Sequence, residues 1–138
     1  MRKYYLFIIN SKYYNVYNDN PDLLYKALNI LVNTSVNTYS FGFSIHNQLC
    51  ETIDVDLLSH YFNERFNIKN NKYTYLIENN TLNELSIVIL KKSCIRVFTN
   101  SNLPSFFRVF KLYNKRIFVV DFENKDYFWL NQYYRKYL

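Results

Sequence analysis

The chain has 138 residues, a net charge of +6, 20% aromatic side chains, two cysteines and a single glycine. That length suits one domain with a real core and is too short for two, while one glycine excludes a Rossmann fingerprint and a P-loop, which need several close backbone approaches. Two cysteines are too few for a disulfide framework, no stretch approaches the ~20 apolar residues of a membrane helix, and the scattered Lys and Arg form no long basic block.

Residues 4–9 are apolar on both faces, the pattern of a strand inside a sheet with helices over it. The opening MRKYYLFIIN has the early charges of a signal peptide, but its apolar run is short and aromatic and no small-residue cleavage site follows. In KYYNVYN, Tyr13 and Tyr17 stand four apart and share one face of a short helical turn. Asn20-Pro21 opens a helix, because proline suits the first turn, and Leu24, Ala27, Leu28 and Leu31 keep the apolar spacing. Residues 38–45 alternate Tyr39, Phe41, Phe43 and Ile45 with small or polar residues, as a strand with one wet face does.

Asp54 is placed to cap a further helix whose inward face holds Leu57, Leu58, Tyr61, Phe62 and the stem of Arg65, with Asn67 as its stop. Residues 73–77 predict a strand, and residues 85–90 and 94–98 a hairpin around Lys91-Lys92-Ser93. Another helix is expected from about Leu103-Pro104, burying Phe106, Phe107, Phe110 and Tyr113 and ending at Asn114. Residues 118–131, FVVDFENKDYFWLN, read as a closing hairpin that carries the one tryptophan, Trp129, as a core residue. This order predicts a single α/β (mixed α+β) domain over residues 1–138, with a central mixed β-sheet flanked by about three helices.

The chain offers little chemistry of an enzyme. His46, Cys50, His60 and Cys94 match no zinc spacing, and nothing marks Cys50 as an activated thiol. Asp121, between Val120 and Phe122, is expected to accept backbone or tryptophan N–H bonds beside the turn. No catalysis, cofactor, metal or small-molecule substrate is expected, and the expected compartment is the cytoplasm. Two binding readings stand. Tyr13 and Tyr17, in a stretch with Lys12, Asn15 and Asn18, fit a module that binds another protein, or else a short helix lying on the core. Basic residues interleaved with aromatics, best in the tail QYYRKYL with Tyr133, Tyr134, Arg135 and Lys136, fit a nucleic-acid-binding module.

Both ends of the chain together resemble the sporulation inhibitor of replication family, SirA. The resemblance lies in KYYLFII followed by Tyr13, Asn15 and Tyr17, and in VDFENKDYFWLN with Asp121, Phe122, Lys125, Tyr127, Trp129, Leu130 and Asn131. It implies an inhibitor that binds the N-terminal domain of the replication initiator DnaA and blocks initiation during sporulation; separately, a monomer when free is the default expectation, and direct DNA binding is not expected. It also implies partner contacts at Tyr13, Asn15, Tyr17 and Tyr39. Tyr13 stands where a family member carries phenylalanine, which keeps the ring and adds a hydroxyl. The family pattern tolerates glycine at position 128, so Phe128 is expected to bring an extra ring beside Trp129.

Overall fold

The computed structural model describes residues 1–34, 46, 48–66 and 70–132. Among them the elements follow in the order β1 (Arg2–Ile8), α1 (Ser11–Tyr17), α2 (Pro21–Thr34), α3 (Val55–Arg65), β2 (Asn70–Asn71), β3 (Thr74–Asn79), β4 (Glu84–Leu90), β5 (Ile95–Thr99), α4 (Phe107–Tyr113), β6 (Ile117–Asp121) and β7 (Asp126–Trp129). The expected strand over residues 38–45, the stop at Asn67 and the tail patch from Tyr133 onward lie outside the described residues.

The strands form one seven-stranded sheet in the order β2-β3-β4-β5-β1-β6-β7. The mixed α+β class is as expected, and β1 does lie in the interior, between β5 and β6. One feature of the expected sheet is corrected: all its described pairings are antiparallel rather than mixed. The cause is connectivity. β3, β4 and β5 follow one another through tight reversals, as do β6 and β7, while the α4 crossover carries the chain past β1 so that both neighbours of β1 run against it. Apolarity on both faces marks a strand as interior but carries no direction.

Alternation along the strands builds two cores, one on each face of the sheet. On one face Tyr4, Leu6, Ile8, Tyr75, Val88, Val97 and Val119 pack with Leu58 and Phe62 of α3 and Phe107 and Phe110 of α4. On the other, Phe7, Ile9, Phe118, Val120 and Trp129 pack with Leu24 and Leu28 of α2 and with Leu49, Cys50 and Cys94. Register also settles Phe128. It opposes Val119 on β6, whereas Trp129 opposes Phe118, so Phe128 packs against the first core and Trp129 belongs to the second. The ring at 128 therefore does not crowd Trp129, because the strand period of two sends neighbours to opposite faces.

Local chemistry explains where the helices stop and start. Asp54 caps α3 by accepting the Leu57 N–H at 3.1 Å, and Asn114 follows α4, its N–H bonded to the Phe110 carbonyl at 3.2 Å. The expectation that Leu57 faces inward is overturned, since it is 59% exposed while Leu58 and Phe62 are fully buried. Leu57 is one residue from Leu58, about 100° around the helix, and the inward stripe here follows Leu58 and Phe62. Arg65 is likewise exposed rather than inward, and it is its guanidinium, not its stem, that lies over Tyr61, 3.5 Å from the ring centroid.

Two ends of the sheet can be distinguished from the register. One holds the start of β1, the end of β5 and the β6–β7 turn. There Asp121, fully buried, accepts from Arg2 Nε at 3.0 Å, from the Asn124 backbone N–H at 3.2 Å and from Asn124 Nδ2 at 2.7 Å. The expected bond from the tryptophan N–H is not among these, because the Trp129 indole is directed to the opposite face. Arg2 also reaches Asp126 at 3.0 Å, so one guanidinium closes the last hairpin onto the first strand.

Candidate partner-binding face on the first helix

Helix α1 begins where β1 leaves the sheet. Asn10 donates its backbone N–H to the Leu49 carbonyl at 2.8 Å, and its side chain accepts the Lys12 N–H at 3.3 Å as the N-cap. A seven-residue helix is too short to persist alone in water, and α1 has no fully buried residue. Its stability comes from what it lies on. Tyr14 sets its edge against Trp129, with centroids 5.0 Å apart and planes at 82°. The Trp129 indole N–H donates to the Tyr17 carbonyl at 3.3 Å, and Gln132 Nε2 donates to the Asn18 carbonyl at 3.2 Å. These two bonds take up carbonyls at the helix end, where intrahelical donors run out.

The expected pairing of Tyr13 and Tyr17 on one face follows from their four-residue spacing in α1. Both are half-buried and, with Tyr14, pack against the second core. The outer crest of the helix consists of Lys12, Asn15 and Val16, all exposed, with Val16 at 59%. The tyrosines are thus flanks of a ridge: each keeps one side on the scaffold and shows the rest. Lys12 Nζ lies 5.8 Å from the Tyr13 ring centroid. Asn15 is on the crest rather than at a turn, and the turn into α2 is held by Asn20, whose Nδ2 donates to the Val16 carbonyl at 3.4 Å. Tyr39 lies outside the described residues.

Sequence reading missed Val16 as a member of this face. Its signal was present: it is the one aliphatic residue in a polar and aromatic stretch, three residues from Tyr13. On the opposite side of α1, the β6–β7 hairpin extends the aromatic surround, with Tyr25 of α2 stacked on Tyr127 at 4.7 Å and 13°.

The cysteines and histidines form no alternative site. Among the described residues no group of three or more His, Cys, Asp or Glu is arranged to hold a metal ion. Burial pushes the Cys50 thiol far up from its ordinary range, with neighbouring Cys94 adding to the effect. Burial also raises Cys94, against weaker lowering from Ser93 and Arg96. Thiols held protonated are poor nucleophiles. Neither cysteine is therefore expected to be alkylated by iodoacetamide in the folded chain at neutral pH, and both are expected to react once it is denatured. Intact-mass spectrometry reads this directly, and rapid labelling of the native chain would show that the second core is open.

Among the described residues no helix is long and apolar enough to cross a membrane. No curated protein matches the chain. Residues 2–133, from the first strand to just beyond the Trp129 anchor, match the family model described as sporulation inhibitor of replication protein SirA. The match spans both ends of the chain, which the structure joins through α1, β1 and β7, and it shows that this chain belongs to the SirA family of sporulation inhibitors of replication.

Proposed function

We propose that the chain inhibits initiation of chromosome replication by binding the N-terminal domain of the initiator DnaA through the face of α1, with Tyr13, Tyr17, Asn15 and Val16 at its centre and Tyr39 as a further contact. The observation that carries this reading is the state of the two tyrosines: half-buried against the second core, in a helix held at its end by Trp129 and Gln132. Side chains already braced on one side lose little freedom when a partner covers the other, and rigid aromatics of this kind dominate interface energies. Inhibition then needs occupancy of the initiator's surface and no chemistry, cofactor or substrate. The place of action is the cytoplasm, where initiator and chromosome meet.

The test is a calorimetric titration of the whole chain against the purified initiator domain. Tyr13→Ala and Tyr17→Ala are each expected to weaken binding by about 2 kcal/mol or more if central to the interface. Because both rings also pack on the scaffold, Val16→Asp supplies the control: an exposed position whose change should weaken binding and leave the unfolding midpoint in place. Unaltered affinity for both the double tyrosine variant and Val16→Asp would remove α1 from the interface.

A further inference from the structure

The register of the sheet gathers positive charge at one of its ends. The β4–β5 turn, the turn before β3, the loop from α4 into β6 and the start of α1 all lie at the end where β1 finishes, because Ile95 opposes Leu6, Thr74 opposes Ile89 and Ile117 opposes Ile8. These four segments carry Lys91 and Lys92, Lys72, Lys115 and Lys12, all exposed. The acids of the same end are engaged with the scaffold. Glu51 holds Arg116 at 2.7 Å, Asp54 caps α3, and Asp56 accepts the Tyr73 hydroxyl. Asp19 and Asp22 lie outboard, at the α1–α2 turn, whose Asn18 touches Gln132 beyond β7. The opposite end carries Glu78, Glu84, Asp121, Glu123 and Asp126 against the N-terminal amine, Arg2, Lys3, Arg108 and Lys125, a near balance. Among the described residues the excess of positive charge therefore gathers at one end of the strands, although the lysines are scattered in the sequence.

We infer that this lysine end, which shares only Lys12 with the face of α1, is a contact surface for the phosphodiester backbone of duplex DNA, independent of any initiator and against the expectation of no direct DNA binding. From β3 across β4, β5 and β1 to β6 there are four strand intervals, so the row spans roughly 19 Å. Point charges spread over that distance on separate turns match a continuous polyanion, which presents about one charge per 1.7 Å of duplex axis. A protein partner would call for apolar anchors at the centre of the surface, and the exposed side chains between these lysines are polar, as at Ser93. A lipid surface would call for apolar insertion, for which Leu112, 78% exposed at the margin, is a single side chain. Lysine gives a contact without base reading, since it lacks the fork that recognises base edges in pairs. The surface differs from the tail QYYRKYL and involves none of its residues.

The experiment is fluorescence anisotropy of the whole chain with a labelled 30-base-pair duplex of arbitrary sequence and no initiator present. Saturable binding is expected at 50 mM salt, weakening on the order of 100-fold by 200 mM if about four phosphates are engaged. The triple variant Lys91→Glu, Lys92→Glu, Lys115→Glu should lose at least tenfold in affinity while its circular dichroism and unfolding curve stay unchanged, and the matching triple glutamine variant should fall between. Tyr13→Ala, Tyr17→Ala should bind DNA like the parent chain, so failure here and failure of the initiator reading are separate results. Absent binding at 50 mM salt, insensitivity to salt, full affinity in the triple glutamate variant, or tighter binding to vesicles of phosphatidylglycerol than to DNA would each overturn the inference.

Discussion

Replacing Trp129 by alanine is expected to lower the unfolding free energy by about 3–5 kcal/mol, the cost of removing a large buried aromatic, and to abolish partner binding even in the fraction that stays folded. Trp129 is 2% exposed and touches Phe118 at 4.9 Å as well as Tyr14. Its loss opens a void in the second core and also deprives α1 of its platform and of the donor at Tyr17. Trp129→Phe separates the two effects. It retains most of the apolar ring and deletes the indole N–H, for an expected loss of about 1 kcal/mol from the hydrogen bond plus a small packing term. Urea denaturation gives the stabilities, and amide exchange at residues 11–18 gives the state of α1. If Trp129→Ala proved as stable as the parent, or if exchange in α1 were unchanged, the helix would owe its position to something other than the tryptophan.

The second large effect is expected at Asp121. Asp121→Ala should cost on the order of 3 kcal/mol, because it strands the Arg2 guanidinium and the Asn124 N–H without their acceptor. Arg2 is partly exposed and keeps Asp126, which places the loss at the lower end of the range for broken buried pairs. The same site gives a pH dependence. Burial alone would raise the Asp121 carboxyl, but the Asn124 side chain and backbone donors and the Arg2 guanidinium outweigh it and hold the group below its ordinary value of 3.8. A carboxyl depressed in the folded state contributes stability in full above that ordinary value, and the contribution disappears as the pH falls through the lower folded value. Acid unfolding of the parent chain should therefore be steeper below pH 3.8 than that of Asp121→Asn, with the curves running parallel at neutral pH. Identical acid limbs would mean that the carboxylate is not paired in solution.

Much of the fold was legible because single residues announced it. Pro21 with Leu24, Leu28 and Leu31 located α2, Asp54 located the start of α3, and the two-faced apolarity of residues 4–9 placed β1 inside the sheet. Strand direction was not legible, since it depends on which non-neighbouring strands meet, and residues 4–9 look the same between parallel or antiparallel partners. Leu57 was misplaced because Leu57 and Leu58 are equally apolar and only the orientation of α3 on the sheet chooses between them. At the candidate site, the spacing of Tyr13 and Tyr17 was visible and their half-burial was not. That burial depends on the second core as a whole, including Trp129, whose indole N–H donates to the Tyr17 carbonyl from 112 residues away. The charge at the lysine end was hidden for the same reason: Lys12, Lys72, Lys91 and Lys115 are far apart along the chain and meet only through register.

The placement of β1 also sets a timetable for synthesis. The first strand finds its sheet neighbours in β5 and β6, and α1 finds its seat on β7 and Gln132. A ribosome that has made residues 1–94 has produced none of these neighbours, so the opening strand and its helix must wait for most of the chain before they can settle. Pairings this distant in sequence form slowly. The surface encoded first is completed last, and a chain interrupted anywhere before residue 132 cannot present it. The growing polypeptide thus lacks the seat of α1, and the helix gains its full support at once when the closing hairpin docks.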